Sequence, residues 1–452
     1  MKKERRIELK IYKRRYRKKK EKGKRKKALS GVFPRINIKV QTNLLSFFRN
    51  KGFIHSDYAT ENVIVPKIFS FEENSDDCIT FFKCLISSYL LTDKTTIVDF
   101  KICERIDITN AMLFKVIVKE LIETKERYNR RFYNPTEKEI KYLKSECNKI
   151  NRSLFALKLV DNIEKKEIED AQPEEGFLYL GLQTNLASRI SYKENKKGAV
   201  CTKVREFINE SLAQSDAILN ANGINKIDRL LSEIFNNAED HSVHNEWYVD
   251  GVSFKNIIDG EPIIELNLGI LNFGFSISEG VIKNEKRNKE MMTKIKKWYD
   301  RHSELKEQTG SNLNKDDLYT LYSLQDGVSR LKYEDESRGH GTMNFIRAFI
   351  TLGSFGKENP EYKPHLNIIS GKTCVHCDNE VEPYNDHNNY LLSLNKEKDI
   401  SLLPEDNYLR HMQEYFPGTF LEVKIYLNKK YFSKALNKKE KENGNNKVNS
   451  RA

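Results

Sequence analysis

Residues 227–241, with the sequence IDRLLSEIFNNAEDH, carry the most information about the fold of this chain. Its apolar residues recur at the spacing of one helical face: Ile227, Leu230, Leu231, Ile234 and Ala238. Glu233 and Asn237 are four residues apart and therefore lie one turn from each other beside that face. An amide oxygen can ligate magnesium and a carboxylate can orient water, so the pair suits a magnesium-bound nucleotide. A solvated helix edge is the alternative interpretation.

Two later segments place glycine beside polar residues. Asn272-Phe273-Gly274-Phe275-Ser276-Ile277 ends a predicted strand, where an amide can pair with a purine edge and Gly274 lets the ring approach the backbone. Arg338-Gly339-His340-Gly341-Thr342 precedes an apolar helical run, and the free N–H groups of a helix start attract phosphate. A strand-to-loop turn and an ordinary helix-entry loop are the alternative interpretations of the two segments.

The order and spacing of these segments resemble the Bergerat nucleotide fold, the ATP-binding domain of the gyrase, heat-shock-chaperone, histidine-kinase and mismatch-repair superfamily (GHKL). The similar pattern is Glu-x-x-x-Asn-Ala-x-x-His, Asn-x-Gly-x-Ser-Ile, a long polar stretch, Arg-Gly-x-Gly-Thr, and Gly418-Thr419 before a last strand. The resemblance covers about 200–430. It implies a two-layer α/β sandwich with a mixed sheet that binds ATP and Mg²⁺.

The resemblance also implies roles for individual residues. Glu233 would position or activate the attacking water, and Asn237 would ligate magnesium. Gly274 would shape the adenine pocket, and residues 282–337 would form an ATP lid of low stability with few apolar anchors. The remaining nucleotide contacts would come from His241, Asn272, Ile277, Arg338, Gly339, His340, Gly341, Thr342 and Thr419. A capping or core role is the alternative for His241.

Two residues depart from the family pattern. The family usually has Asp where this chain has Asn272, and an amide can accept the same bond only if its NH₂ finds another partner. The second glycine of the usual motif is Ser276, which would narrow the space beside the nucleotide. Nucleotide binding is therefore expected, and turnover is expected to be slow.

Residues 32–190 are predicted to form a separate α/β domain. Residues 95–100 are typical of a buried strand, and residues 111–121 have helical spacing that Thr109 or Asn110 could cap. This order is similar to the STAS fold, in which the loop before the helix carries a phosphorylatable Ser or Thr. Thr109 would be that residue, although the usual Asp-Ser-Ser-Gly is absent.

The positive charge is concentrated at the N-terminus. The whole chain has a formal charge of +13, and residues 1–27 alone contain 17 Lys and Arg against three Glu. This composition predicts a disordered arm over 1–31 that could contact nucleic acid, with Tyr12 and Tyr16 stacking on bases. An acidic protein partner and a solvating tail are the alternatives. Residues 431–452 are predicted to be a polar tail.

The cysteines and the hydropathy bear on localisation. Seven scattered cysteines are typical of reduced thiols, and no apolar stretch reaches the roughly 20 residues that span a bilayer. No secretion signal is recognisable, so a cytoplasmic location without membrane partners is expected. Cys374, His376 and Cys377 with His387 could bind a metal, but a hairpin strand is the preferred interpretation because a structural zinc site needs four ligands.

These observations together predict a two-domain α/β protein, with a STAS-like domain over 32–190 and a GHKL-type domain over 191–430. Two late strands, around 365–370 and 419–427, are predicted to complete the α/β pattern of the second domain. The expected function is a Mg-ATP-driven conformational switch with slow hydrolysis, in a prokaryotic regulatory or phage-defence context. A serine/threonine kinase of the anti-sigma type and a non-catalytic interaction protein with a degenerate pocket are the alternatives. A protein partner or a homodimer is compatible with each.

Overall fold

The computed structural model describes residues 35–36, 41–132, 136–159, 176–185, 193–258, 260–328, 341–353, 362–378, 380–386 and 389–429. The predicted arm and the predicted tail lie outside these residues, as do Arg338, Gly339, His340 and His387. The chain is a mixed α/β protein, with parallel strands and helices in the N-terminal part followed by an antiparallel sheet with helices. No helix within the described ranges is long and apolar enough to span a membrane.

The N-terminal part, up to residue 159, alternates short strands with helices. Its elements are α1 (Asn43–Asn50), β1 (Asn62–Ile64), β2 (Ile68–Phe69), α2 (Phe71–Leu91), β3 (Thr96–Asp99), β4 (Arg105–Ile106), α3 (Ile108–Arg131), β5 (Ile140–Leu143) and α4 (Asn148–Ala156). Strands β1, β3 and β5 pair in parallel in that order, and β2 pairs in parallel with β4. Helices α2 and α3 form the crossovers that these parallel strands require.

The rest of the described chain forms an antiparallel sheet with helices. Its elements are β6 (Leu178–Tyr179), β7 (Gln183–Thr184), α5 (Lys193–Ala213), α6 (Ala221–His241), β8 (Ser242–Ile258), β9 (Glu261–Gly274), α7 (Ile277–Lys283), α8 (Lys289–Thr309), α9 (Lys315–Ser323), α10 (Gly341–Gly353), β10 (His365–Cys377), β11 (Tyr384–Asp386), β12 (Asn389–Leu391) and β13 (Leu409–Leu427). The strand order is β10-β13-β9-β8-β6, and β7 also pairs with β8. The prediction of a mixed sheet is wrong for the described residues, because each of these pairings is antiparallel.

Both faces of this sheet are buried. Side chains alternate along each strand, so successive residues contact different hydrophobic cores. On β9, Leu268 and Ile270 join the hydrophobic core that contains the buried residues of α6 and α10. Leu271 and Phe273 point the other way, into the core of the N-terminal part. We call these two sides the helix face and the N-terminal face. The N-terminal part therefore packs directly on the sheet.

Polar contacts also join the N-terminal part to the sheet. Lys115 on α3 forms a buried ion pair with Asp250 on β8, with an Nζ–Oδ2 distance of 2.7 Å. The Thr109 hydroxyl is fully buried, donates to Asp107 and lies 3.5 Å from Glu422 Oε1 on β13. Phosphorylation at Thr109 would require this interface to open, because the hydroxyl is enclosed by two carboxyl groups.

The structure corrects two local predictions for the N-terminal part. Helix α3 begins at Ile108, and its N-cap is Asp107 rather than Thr109 or Asn110, since Asp107 Oδ1 accepts the Asn110 N–H at 2.8 Å. The strands β6 and β7, assigned from sequence to the first block, pair with β8 of the second sheet. Both differences depend on contacts between segments, which local patterns do not contain.

The expectation that the segment 282–337 has few apolar anchors is wrong for its described part, residues 282–328. Helices α8 and α9 bury apolar side chains in the core of the helix face, namely Met291, Ile295, Leu318, Leu321 and Tyr322. Asp317 in α9 is also buried and accepts the Thr373 hydroxyl hydrogen at 2.7 Å. Residues 329–337 lie outside the described residues.

Candidate functional site

Helix α6 carries Glu233 and Asn237, the polar pair that the sequence predicts to bind a magnesium nucleotide. Its N-cap is Asn220, whose side chain accepts from the Gly223 N–H at 2.8 Å. Phe235 stacks on Trp247 of β8, with ring centroids 4.1 Å apart and an interplanar angle of 9°. This packing fixes the rotation of α6 on the sheet, so Glu233 and Asn237 lie away from the apolar contact and beside α10.

The start of α10 meets these two side chains. A Cβ atom added to Gly341 would lie 3.4 Å from Asn237 Nδ2 and 3.6 Å from Glu233 Oε2. Gly341 is the first residue of α10, where backbone N–H groups have no partner within the helix. A carboxylate, an amide and a helix N-terminus therefore converge at one place on the helix face.

Glu233 is incompletely satisfied in this environment. Its Oε1 accepts from Arg229 Nε at 3.3 Å, but the Arg229 side chain is 78% exposed, so this ion pair is weak. Its Oε2 is buried and makes no hydrogen bond within the described residues. A buried carboxylate oxygen without a donor is costly, so it indicates a missing partner.

Asn272 forms a second polar position on the helix face. In the sheet it lies opposite Thr419 of β13 and opposite Trp247 of β8. The residue is 4% exposed, and its Nδ2 has no hydrogen-bond partner among the residues described. The requirement noted from the sequence, a second partner for this NH₂, is not met by the described part of the chain.

Ser370 joins this group although no sequence signal singled it out. Its hydroxyl lies 2.9 Å from Thr419 Oγ1, donates to Gly418 O at 3.1 Å and accepts the Ile277 N–H at 2.9 Å. It therefore connects the middle of β10 and the middle of β13 to the start of α7. The only available hint was its place at the end of the predicted strand 365–370.

Gly274 is needed for a close backbone approach within the protein. A Cβ atom at this position would lie 2.1 Å from the carbonyl oxygen of His241, the last residue of α6. The space beside Gly274 is thus filled by backbone at the turn from α6 into β8. This approach also brings the end of α6 close to Asn272, which lies two residues before Gly274.

Ser276 has a clear local role. It is the N-cap of α7, because its Oγ accepts the Glu279 N–H at 3.1 Å and Glu279 Oε2 accepts the Ser276 N–H at 2.9 Å. This reciprocal pair is a capping box. The serine that replaces the family's glycine therefore starts a helix directly after the strand end.

The structure thus arranges the predicted residues in two groups. Glu233, Asn237 and Gly341 meet between α6 and α10, and Thr342 follows in the first turn of α10. Asn272, Gly274, Ile277 and Thr419 meet where the end of β9 pairs with the middle of β13, and His241 at the end of α6 connects the two groups.

Within the described part of the chain, Cys374 and Cys377 do not share a metal site. Cys374 and Cys377 both lie in β10, as the preferred interpretation predicted, but Cys374 packs in the core of the N-terminal face and Cys377 in that of the helix face. Side chains on opposite faces of a strand cannot bind one ion. Across the described residues, no group of three or more His, Cys, Asp or Glu could hold a metal.

Comparisons of the chain with protein-family models, with curated proteins and with solved structures find no match.

Proposed function

We propose that this chain binds Mg-ATP on the helix face and acts as a nucleotide-driven switch of the GHKL type, with a Bergerat-type arrangement over 191–430. The observation that carries the proposal is the meeting of Glu233 and Asn237 with the first residue of α10. A helix N-terminus favours anions, so the start of α10 suits phosphate oxygens, and the carboxylate and amide oxygens beside it suit a cation or an ordered water. A magnesium-bound phosphate chain satisfies both conditions.

Two buried polar atoms support the fit to a nucleotide. Among the described residues, Glu233 Oε2 has no donor, which a water molecule would supply, and Asn272 Nδ2 has no acceptor, which a ring nitrogen of a base would supply. Both lie on the helix face, one at each group of the site. The residues present therefore suit a ligand with a base at one end and charged oxygens at the other.

Each residue of the site would then have its own role in binding Mg-ATP. Asn237 would hold Mg²⁺ through its amide oxygen, and Glu233 would orient a water molecule or take its proton. The N–H groups at the start of α10 would stabilise negative charge on phosphate oxygens. Asn272 and Thr419 would bind the base. ATP itself supplies a phosphoryl group that can be transferred to water or to a protein.

A switch follows from the position of α10. This helix contacts α6, β10 and β13, and the same sheet carries the N-terminal part on its other face. A ligand that binds one position of α10 more tightly than another shifts the population of those positions. The N-terminal part, with parallel strands and the loop before α3, is proposed to be STAS-like and to respond to that shift.

A labelled-ATP assay tests this function directly. We expect γ-labelled ATP with Mg²⁺ to bind the full chain and to release free phosphate slowly. Label on protein would favour the serine/threonine kinase alternative. If the protein neither binds nor turns over the nucleotide, the proposal is wrong and the chain is a non-catalytic interaction protein.

The basic arm gives a separate prediction. Deleting residues 2–27, which hold all of the excess positive charge, should remove most affinity for nucleic acid, because Lys and Arg contacts to phosphate dominate it. ATP binding should be unchanged. The measurement is an anisotropy titration at several salt concentrations. Equal affinity and an equal salt slope after truncation would place the binding surface in the folded part.

A further inference from the structure

A cavity of about 480 Å³ lies on the N-terminal face, opposite the candidate nucleotide site. Its walls come from the loop before α3, from α4 and from strands β8, β9, β10 and β13. Pockets for small molecules commonly measure about 300–1,000 Å³, so the volume suits a ligand of nucleotide size. The cavity therefore differs from the helix-face site in both position and lining.

One wall of the cavity is apolar. Phe177 and Phe254 lie side by side with centroids 5.4 Å apart, and Val252, Ile150 and Leu157 continue the surface. Such a wall favours a flat ring by burial of its apolar area.

The buried end of the cavity is rich in hydrogen-bond acceptors. Glu422 is 4% exposed, and its Oε2 accepts from Asn367 Nδ2 at 3.1 Å. Within the described residues, its Oε1 has only the 3.5 Å contact with the Thr109 hydroxyl, whose single hydrogen is already donated to Asp107. Burial, together with Asp107, raises the pKa of Glu422, so a ligand that donates hydrogen bonds here would stabilise its ionised form.

The open end of the cavity is cationic. Lys149 and Arg152 are exposed on α4, and Lys149 has no ion-pair partner among the residues that the structure describes. Among the other charges of the lining, Lys424 pairs with Glu265 at 2.9 Å, and Glu104 pairs with Lys67 at 3.2 Å. An anionic group at this end would be attracted by the exposed positive charge of Lys149.

We propose that this cavity is a binding site for a guanine nucleotide, with the base against Phe177 and Phe254, its donor edge at Glu422, and its phosphate at Lys149 and Arg152. Guanine carries adjacent N1–H and N2–H₂ donors, which a carboxylate accepts as a pair, whereas adenine offers only one amino group on that edge. The phosphate requires the cationic end. This site is independent of the proposed ATP site.

The test is calorimetric titration of the full-length protein with GMP. We expect binding that is about tenfold tighter than that of AMP or of guanosine. No heat of binding up to about 1 mM GMP would overturn the proposal. Equal affinity for AMP or equal affinity for guanosine would overturn it as well.

Two variants locate the ligand in the cavity. Glu422→Gln replaces an acceptor by a donor and should weaken GMP binding about tenfold. Lys149→Glu reverses an exposed charge without disturbing the core and should weaken it about threefold or more. The matched control is Lys141→Glu, which makes the same charge change at an exposed position of β5 outside the cavity and should leave the affinity unchanged. If Glu422→Gln fails to fold, Lys149→Glu is the deciding variant. Equal GMP affinities of Lys149→Glu and Lys141→Glu would then contradict the site.

Discussion

Asn237→Ala is expected to weaken Mg-ATP binding by about tenfold or more, whereas Glu233→Gln should leave binding nearly unchanged and abolish phosphate release. The first change removes an oxygen ligand of magnesium, and the second removes the carboxylate that orients water while keeping the shape of the side chain. Both side chains lie at the start of α10, where a Cβ on Gly341 would contact them. Calorimetry measures the affinity, and release of labelled phosphate measures turnover.

The matched control for this pair is Asn236→Ala. Asn236 is the adjacent amide on α6, but it is exposed and contacts Lys197 instead of α10. We expect wild-type affinity and turnover for this variant. If Asn237→Ala and Glu233→Gln behave like Asn236→Ala, the site between α6 and α10 does not bind ATP.

Gly274→Ala is expected to lower the free energy of unfolding by about 3–5 kcal/mol, or to prevent folding altogether. The added methyl group would lie 2.1 Å from the His241 carbonyl oxygen. The backbone at Gly274 and the backbone at His241 can move apart only if α6 and β9 separate. The loss should appear as a lower urea midpoint, measured by circular dichroism.

Gly198→Ala is the matched control for the glycine prediction. Gly198 lies in α5, is exposed and has no atom within 4 Å of an added Cβ. Here the methyl group should stabilise the protein by up to about 1 kcal/mol, because alanine favours the helix. A Gly274→Ala variant as stable as the wild type would show that the end of α6 does not approach β9 as closely as described.

Much of the helix-face architecture could be predicted from local patterns. The periodicity of residues 227–241 predicts a helix, and the structure has α6 over Ala221–His241. The strands predicted at 365–370 and 419–427 are confirmed within the longer β10 and β13, and the helical run after Gly341 is confirmed as α10. These elements carry strong apolar periodicity, which is set by neighbours along the chain.

Strand β8 was not predicted from the sequence, because its buried polar side chains have their partners in distant segments. Its Asp250 is fully buried and pairs with Lys115 of α3, and its Ser253 hydroxyl accepts from that of Ser211 in α5 at 2.8 Å. Buried polar residues within a strand hide the apolar signal, and their partners lie 135 and 42 residues away. Distant partners also explain why the segment 282–328, which contains α8 and α9, was predicted to have few apolar anchors.

The sequence by itself determined the residue types of the candidate site, the helix that carries Glu233 and Asn237, and the strand ends that carry Asn272 and Thr419. Only the tertiary structure decided that Gly341 closes on Asn237, that Ser370 ties two strands to α7, and that the N-terminal part covers the second face of the sheet. Local periodicity reports which side of an element is apolar. Which surface covers that side depends on pairing between residues far apart in the chain, and this pairing is fixed by packing, hydrogen bonding and charge in the folded protein.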